Sequence, residues 1–257
     1  MASRVRARAE LIDSGPLRSE ERNHLAARVP PAGSPLARAE AMPDGLPGVL
    51  RAAREPDFRQ DRARRSYLAL IDAATALFGS QSYDAVGTPE IAERAGVSVG
   101  TFYRYFDDKH QIYLEVARRT MAAAYTGTIA NLGPERFVGR ARHETISETI
   151  AILFDHVMSQ PQLTRSIREM SLRDAKVAEL SRAFEQVSVA RIAALISAIV
   201  GSDVISDPEA IAWVLHGAAM ETAYGLAGHR GPPTIGADRA RKALTDFIER
   251  VLFPAPG

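Results

Sequence analysis

The chain has 257 residues, 46% hydrophobic and 25% charged, a balance that is typical of a globular protein rather than a fibrous or disordered one. It has no cysteine, which excludes disulfide scaffolds, cysteine nucleophiles and thiolate metal sites. The formal net charge is +1 and no long region is strongly basic, so we do not expect a purely electrostatic, histone-like DNA binder. Neither a membrane-length apolar run nor a secretory signal is evident, so we expect a cytoplasmic protein with no membrane partner.

Residues 1–56 hold seven of the 15 prolines and no aromatic residue. Such a composition cannot bury enough apolar surface to offset the entropy lost on ordering the chain, so we predict a disordered N-terminal extension. Met42 is a possible alternative start, and whether residues 1–41 are translated stays open.

A helical pattern begins near Arg59, because Tyr67, Ile71, Ala74 and Phe78 recur at helical spacing. We expect Gly79 to end this helix as a left-handed cap residue. The helix start carries a basic cluster, which is either an arm toward DNA or a solvated helix end: Arg59, Arg62, Arg64 and Arg65.

Two short helices are predicted next, over Thr88–Ala95 and Val99–Phe106, with a turn at residues 96–98 between them. Ser98 is a natural N-cap for the second helix. Two short helices joined by a glycine-containing turn form a helix-turn-helix, whose second helix enters the DNA major groove.

The remaining sequence predicts helices, without alternating runs or hairpin turns that would indicate strands. We expect them at Lys109–Ala130, Thr145–Ser159, Pro161–Arg173, Ala175–Val200, Pro208–Ala227 and Ala237–Phe253. The predicted fold class is all-α. It comprises a helix-turn-helix DNA-binding domain at residues 57–108 and a helical effector-binding and dimerisation domain at residues 109–257.

Residues 91–106, with Lys109, strongly resemble the TetR family of bacterial transcriptional regulators, and the resemblance is specific over residues 62–120. It implies a homodimeric, all-helical repressor whose C-terminal domain binds a small molecule and releases DNA. The implied DNA-binding residues are Thr88, Ser98, Val99, Gly100, Thr101, Tyr103, Arg104, Tyr105 and Lys109. Gly87 departs from the family pattern, in which a threonine often caps the second helix of the motif.

We assign Thr88, Tyr105 and Lys109 to phosphates, and Ser98, Thr101 and Tyr103 to sequence reading, with Gly100 allowing close approach. Alternatives remain for several side chains. The two tyrosines could be packing aromatics, Arg104 a solvated residue, and Thr88 an ordinary helix-start residue.

We expect a small, mainly apolar effector in a cavity of the second domain. The candidate ligand-binding residues, which could equally be ordinary core, are Tyr125, Phe154, Met158, Met170, Phe184, Trp213 and His216. We expect the last two predicted helices to form the homodimer interface, because the first of them is rich in small residues and the second carries an apolar stripe. The alternative is that both helices only complete the monomer core. The stripe consists of Ala240, Leu244, Phe247 and Val251.

Catalytic signatures are absent from the sequence, as are phosphate-binding loops, and His143-Glu144 lacks a second histidine at metal-binding spacing. We therefore expect no enzyme activity, metal or cofactor. The predicted function is a ligand-responsive repressor that binds a palindromic operator as a dimer. Two alternatives stay open: a helix-turn-helix DNA binder without an effector, and a helical small-molecule carrier with a vestigial DNA-binding motif.

Overall fold

The computed structural model describes residues 61–139 and 141–254. The predicted N-terminal extension, and Arg59 of the basic cluster, lie outside the described residues. Within those ranges the chain forms nine α-helices and one 3₁₀ turn, with no strand, which confirms the all-α fold class. In chain order they are α1 Asp61–Phe78, α2 Thr88–Arg94, α3 Val99–Tyr105, α4 Lys109–Gly127, the 3₁₀ turn Pro134–Phe137, α5 Ala141–Ser159, α6 Pro161–Ser171, α7 Ala175–Ile199, α8 Pro208–Leu226 and α9 Ala237–Leu252.

Side-chain caps fix the starts of four helices. Ser98, Asp108, Asp174 and Asp207 each accept a hydrogen bond from a backbone N–H in the first turn of the helix that follows. These N–H groups have no partner inside the helix, so each cap contributes about 1 kcal/mol. Gly87 is the N-cap residue of α2 and makes no side-chain hydrogen bond, because glycine has no side-chain acceptor.

Most predicted helices are confirmed to within two residues, but three details were wrong. Helix α4 ends at Gly127 rather than at residue 130, because Thr128 leaves helical geometry and its hydroxyl donates to the Ala124 carbonyl. Helix α5 begins at Ala141, four residues before the predicted start. Gly79 is not left-handed; a Cβ there would meet the Thr75 carbonyl oxygen at 3.0 Å, so close backbone approach explains the glycine.

Helices α1 to α4 surround one apolar core. Phe102 of α3 is fully buried, and Phe106 stacks on Tyr67 of α1 with ring centroids 5.4 Å apart. The same core continues into the second half of the chain, because Leu163, Ile167 and Met170 of α6 belong to it. Helix α6 therefore packs against α1, which joins it to the core that the helix-turn-helix shares.

The second half of the chain is a bundle in which α5 packs against α8 and α9, and α7 packs along α8. Its core is built by apolar residues of these helices and of the 3₁₀ turn, with Phe154 and Leu195 near the centre. Among residues 61–139 and 141–254, no helix is both long enough and apolar enough to cross a bilayer.

Candidate DNA-binding and effector sites

The turn between α2 and α3 is fixed by backbone hydrogen bonds. The N–H of Gly96 donates to Glu93 and that of Val97 donates to Ala92, which is the Schellman pattern at a helix C-terminus. The pattern requires a left-handed residue, and Gly96 supplies it with φ +67°. This turn sets the angle at which α3 leaves α2.

Helix α3 exposes its first turn and one tyrosine. The Ser98 hydroxyl accepts from the Thr101 N–H at 3.1 Å and hydrogen-bonds the Thr101 hydroxyl at 2.9 Å. Tyr103 is 53% exposed, and its hydroxyl lies 3.2 Å from the Thr88 hydroxyl at the start of α2. Two exposed hydroxyl pairs are therefore formed by Ser98 with Thr101 and by Thr88 with Tyr103.

Two of the predicted DNA-binding residues are held mainly by the protein itself. The Tyr105 hydroxyl donates to the Ala63 carbonyl at 3.1 Å, which ties α3 to the first turn of α1. Lys109 donates to the Tyr83 carbonyl at 2.9 Å, and its ammonium lies 4.4 Å from the centre of the Tyr83 ring. Their assignment to phosphates stays a prediction, and each also has a structural role.

The other predicted residues of α3 lie in the open. Val99, Gly100 and Arg104 are exposed, and a Cβ added to Gly100 would meet only the Ser98 hydroxyl, at 3.8 Å. The described arginines of the basic cluster, in the first turn of α1, are also exposed: Arg62, Arg64 and Arg65. Positive charge therefore lies on the first turn of α1, which the Tyr105–Ala63 hydrogen bond ties to α3.

Two adjacent cavities lie inside the helical bundle. The apolar cavity, of about 130 Å³, is walled by aliphatic and aromatic side chains, with Thr128, Thr149, Ser188, Arg191 and His216 as its polar residues. The polar cavity, of about 270 Å³, contains His156, Arg168, Glu185, Glu221 and Tyr224 among its lining residues. Both cavities are bounded by Ala124, Leu153, Phe184, His216 and Met220, so these five side chains form the partition between them.

Only two of the seven candidate ligand-binding residues line these cavities, namely Phe184 and His216. Tyr125, Phe154 and Met170 are buried in the core, and Met158 packs against it. Trp213 is 61% exposed, and its indole N–H donates to Glu185. A ligand contact from these five remains a prediction, without support from their positions.

Apart from His216, sequence reasoning missed the polar residues of the cavities. Arg191 is the one charged residue between Glu185 and Asp203, in an otherwise apolar helical stretch, and that isolation was the available signal. His156 and Ser188 gave no comparable signal, because scattered histidines and serines are common on solvated helix faces.

Burial tunes the ionisable groups of the polar cavity. It lowers the pKa of His156 and of His216 below the ordinary value of 6.5, so both imidazoles are neutral near pH 7. It raises the pKa of Tyr224 to about 12, so that phenol is neutral as well. Charge at this cavity therefore comes from Arg168, Glu185 and Glu221.

Only part of the predicted apolar stripe on α9 is exposed and available to a second subunit. Ala240 and Leu244 are buried in the monomer core, Val251 packs against the core, and Phe247 is 45% exposed. On α8, the Trp213 and Val214 side chains are 61% and 48% exposed. Both helices therefore leave large apolar side chains uncovered.

Comparisons with known proteins agree with this geometry. The family model described as bacterial regulatory proteins, TetR family, matches residues 70–116, which run from α1 into α4. The HTH-type transcriptional regulator BetI of Vibrio campbellii is 24% identical over 204 residues, covering 77% of this chain and 94% of that protein. The HTH-type transcriptional repressor KstR of Rhodococcus jostii is 35% identical over 65 residues, covering 25% of this chain and 31% of that protein.

A solved structure of a TetR-family transcriptional regulator from Mesorhizobium loti superposes with a TM-score of 0.59 at 23% identity. It covers 75% of this chain and 98% of that one, so the likeness in fold extends through the helical bundle as well as the helix-turn-helix. Residues 70–116 thus match the model of the TetR family of bacterial regulatory proteins, and the described chain shares the all-helical fold of a solved TetR-family regulator.

Proposed function

We propose that the protein is a dimeric repressor that binds a palindromic operator and leaves it when a small, mainly apolar effector enters the helical bundle. The observation that carries this proposal is the position of α6. Its residues Leu163, Ile167 and Met170 pack in the core of the DNA-binding helices, while Thr164 and Arg168 of the same helix line the polar cavity. A ligand that reaches the polar cavity and shifts α6 therefore acts on α1 and on the core that α1 shares with the helix-turn-helix.

Polar contacts at the end of α6 strengthen this connection. Arg173, just beyond α6, pairs with Asp84 of the α1–α2 loop at 2.8 Å. Asp174 lies 3.0 Å from His110 in the first turn of α4. These contacts join the α6–α7 corner to the α1–α2 loop and to the start of α4, so the two regions can be coupled energetically.

For DNA recognition, we propose that Ser98, Thr101 and Tyr103, with Gly100, meet base edges in the major groove, and that the Thr88 hydroxyl meets a phosphate. The basic cluster at the start of α1 and Arg104 would meet phosphates. In a two-fold dimer the two α3 helices would lie about 34–36 Å apart, or a multiple of that, which requires a palindromic operator.

For assembly, we propose that α8 and α9 of two subunits pack as a four-helix interface. Trp213, Val214 and Phe247 support this, because large exposed apolar side chains on neighbouring helices are typical of interaction surfaces. An isologous interface of this kind is the commonest form of homodimer.

The proposal is tested by site selection from a random DNA library with the purified full chain, followed by binding titrations on the recovered site. We expect a palindromic site from which cell extract or a candidate ligand releases the protein. A transcriptional reporter carrying the site should be silenced by the protein; increased transcription would overturn the assignment as a repressor.

A matched pair of variants tests the route through the α6–α7 corner. Arg173→Ala removes the ion pair to the α1–α2 loop, whereas Arg165→Ala removes an ion pair to Glu169 inside α6. We expect the first variant to change the ratio of DNA affinities with and without effector, and the second to leave it unchanged. Equal ratios in both variants would contradict the route.

The two alternatives give different outcomes. A DNA binder without an effector would select a site yet never be released from it. A small-molecule carrier with a vestigial motif would select no site.

A further inference from the structure

Two polar side chains on α7 lie in the wall of the apolar cavity. Ser188 and Arg191 are three residues apart, so they project from the same face of the helix. Ser188 is 1% exposed and Arg191 is 8% exposed. Both residues are therefore almost wholly removed from water, in surroundings that are otherwise nearly all apolar.

The Arg191 guanidinium is held in place on one side only. Its Nε and Nη2 donate to carbonyl groups that follow the end of α4, at Ile129, Ala130 and Leu132, with the Leu132 contact at 2.5 Å. Its Nη1 is buried, and so is the Ser188 hydroxyl. Neither atom meets a hydrogen-bond partner among residues 61–139 and 141–254.

No acidic residue lines the apolar cavity, and Arg191 forms no ion pair with any described residue. A buried cation is ordinarily paired with an anion, because removal from water costs free energy that neutral carbonyl groups repay only in part. An unpaired guanidinium N–H beside an unpaired hydroxyl is a ready donor set for a carboxylate.

We propose that the effector of the apolar cavity is an apolar molecule carrying one carboxylate. Its two oxygens accept hydrogen bonds from Arg191 and Ser188, and its hydrocarbon part lies among the aliphatic side chains. The inference rests on the proposed function, in which a small molecule enters this bundle, and it adds the chemical class of that molecule.

The cavities also limit the size and direction of the ligand. An engineered cavity of about 150 Å³ in another protein holds benzene, so the apolar cavity, of about 130 Å³, takes roughly six carbon atoms. A longer tail would pass the partition into the polar cavity beside Met220, whose unbranched side chain has three rotatable bonds. The carboxylate does not belong there, since Arg168 is already paired with Glu221 at 2.8 Å and Glu185 would repel a second carboxylate.

The test is direct binding to the purified full chain without DNA, by calorimetry at pH 7.5. The probes are sodium decanoate below its micellar concentration, 1-decanol and decylamine, which share one tail and differ in the head. We expect decanoate to bind at least tenfold more tightly than the alcohol, and the amine to bind most weakly. Equal affinities for acid and alcohol, or no binding of decanoate, would overturn the proposal without any variant being made.

Variants then locate the head group. We expect Arg191→Gln to weaken decanoate binding at least tenfold and Ser188→Ala to weaken it roughly threefold or more, while Arg191→Lys keeps the preference for the acid. The matched control is Thr149→Val, which lines the same cavity but has its hydroxyl committed to the Thr145 carbonyl. Unchanged decanoate binding in both Ser188→Ala and Arg191→Gln overturns the assignment, and the Ser188 variant carries the test if Arg191→Gln does not fold.

Release from DNA is measured separately. Decanoate that binds through Arg191 without releasing the operator would leave the ligand class intact and refute the proposed repression switch. Release of the operator by another compound, with no binding of decanoate, would support the repression switch and refute the proposed ligand class.

Discussion

Gly100 offers a test that separates DNA contact from folding. It lies at the second position of α3, where a Cβ would meet only the Ser98 hydroxyl, at 3.8 Å, an ordinary van der Waals distance. Gly100→Ala therefore fits the free protein without strain. Because alanine favours a helix by up to about 1 kcal/mol over glycine, the free energy of unfolding should stay constant or rise by that amount.

In a complex with DNA, the same methyl group is expected to meet the DNA surface. If the α3 backbone approaches base edges at Gly100, the added Cβ forces a shift that costs about 1–3 kcal/mol, or roughly five- to 150-fold in affinity. The matched control is Gly96→Ala, where φ is +67° and a Cβ meets nothing within 4 Å. That variant should lose about 1–2 kcal/mol of stability through backbone strain, while its folded fraction binds DNA normally.

The assays are thermal unfolding and fluorescence anisotropy on the selected operator, each run on both variants and the parent chain. We expect opposite patterns: Gly100→Ala stable and weak in binding, Gly96→Ala less stable and competent in binding. If Gly100→Ala binds the operator as tightly as the parent chain, the close approach of α3 to DNA is refuted.

Three further outcomes are expected. Lys109→Ala should lower the free energy of unfolding by about 1 kcal/mol, because its hydrogen bond to the Tyr83 carbonyl is lost. If the Lys109 ammonium also meets a phosphate, the slope of log DNA affinity against log salt concentration should become smaller by roughly one unit in this variant. An unchanged slope would limit Lys109 to its structural role. Phe247→Asp should yield monomers by light scattering at micromolar concentration. The control variant Leu172→Asp, at an 86% exposed residue of the α6–α7 corner, should remain a dimer. A dimer in both variants contradicts the α8–α9 interface. Because burial lowers the pKa of His156 and His216 below 6.5, the unfolded chain takes up more protons as the pH falls through that value, so stability present at pH 7 should be lost toward pH 5. Thermal midpoints of a His156→Gln/His216→Phe double variant should fall less over this range, and an equal fall would assign the acid sensitivity to other groups.

The sequence alone determined the helices and the DNA-binding motif, because both depend on local signals. Apolar spacing set α1, side-chain caps set the starts of α3 and α4, and Gly96 set the turn. The family model of TetR-type bacterial regulatory proteins matches residues 70–116, the same segment that carries the resemblance. Where local signals were weak, at Gly79 and at the start of α5, the predictions were wrong.

The tertiary structure decided which side chains face one another, because that depends on packing between distant helices. The Tyr105 hydroxyl donates a hydrogen bond to the carbonyl of Ala63, 42 residues earlier, and Arg191 donates to carbonyl groups about 60 residues earlier. Local residue spacing cannot predict such long-range contacts. Phe154 and Phe184 look alike in sequence, yet one is core and the other lines a cavity, since helix rotation sets which face is buried. The placement of Ser188 beside Arg191 in an apolar wall, from which the ligand class is inferred, likewise arises only when α4, α5, α7 and α8 assemble around the cavity.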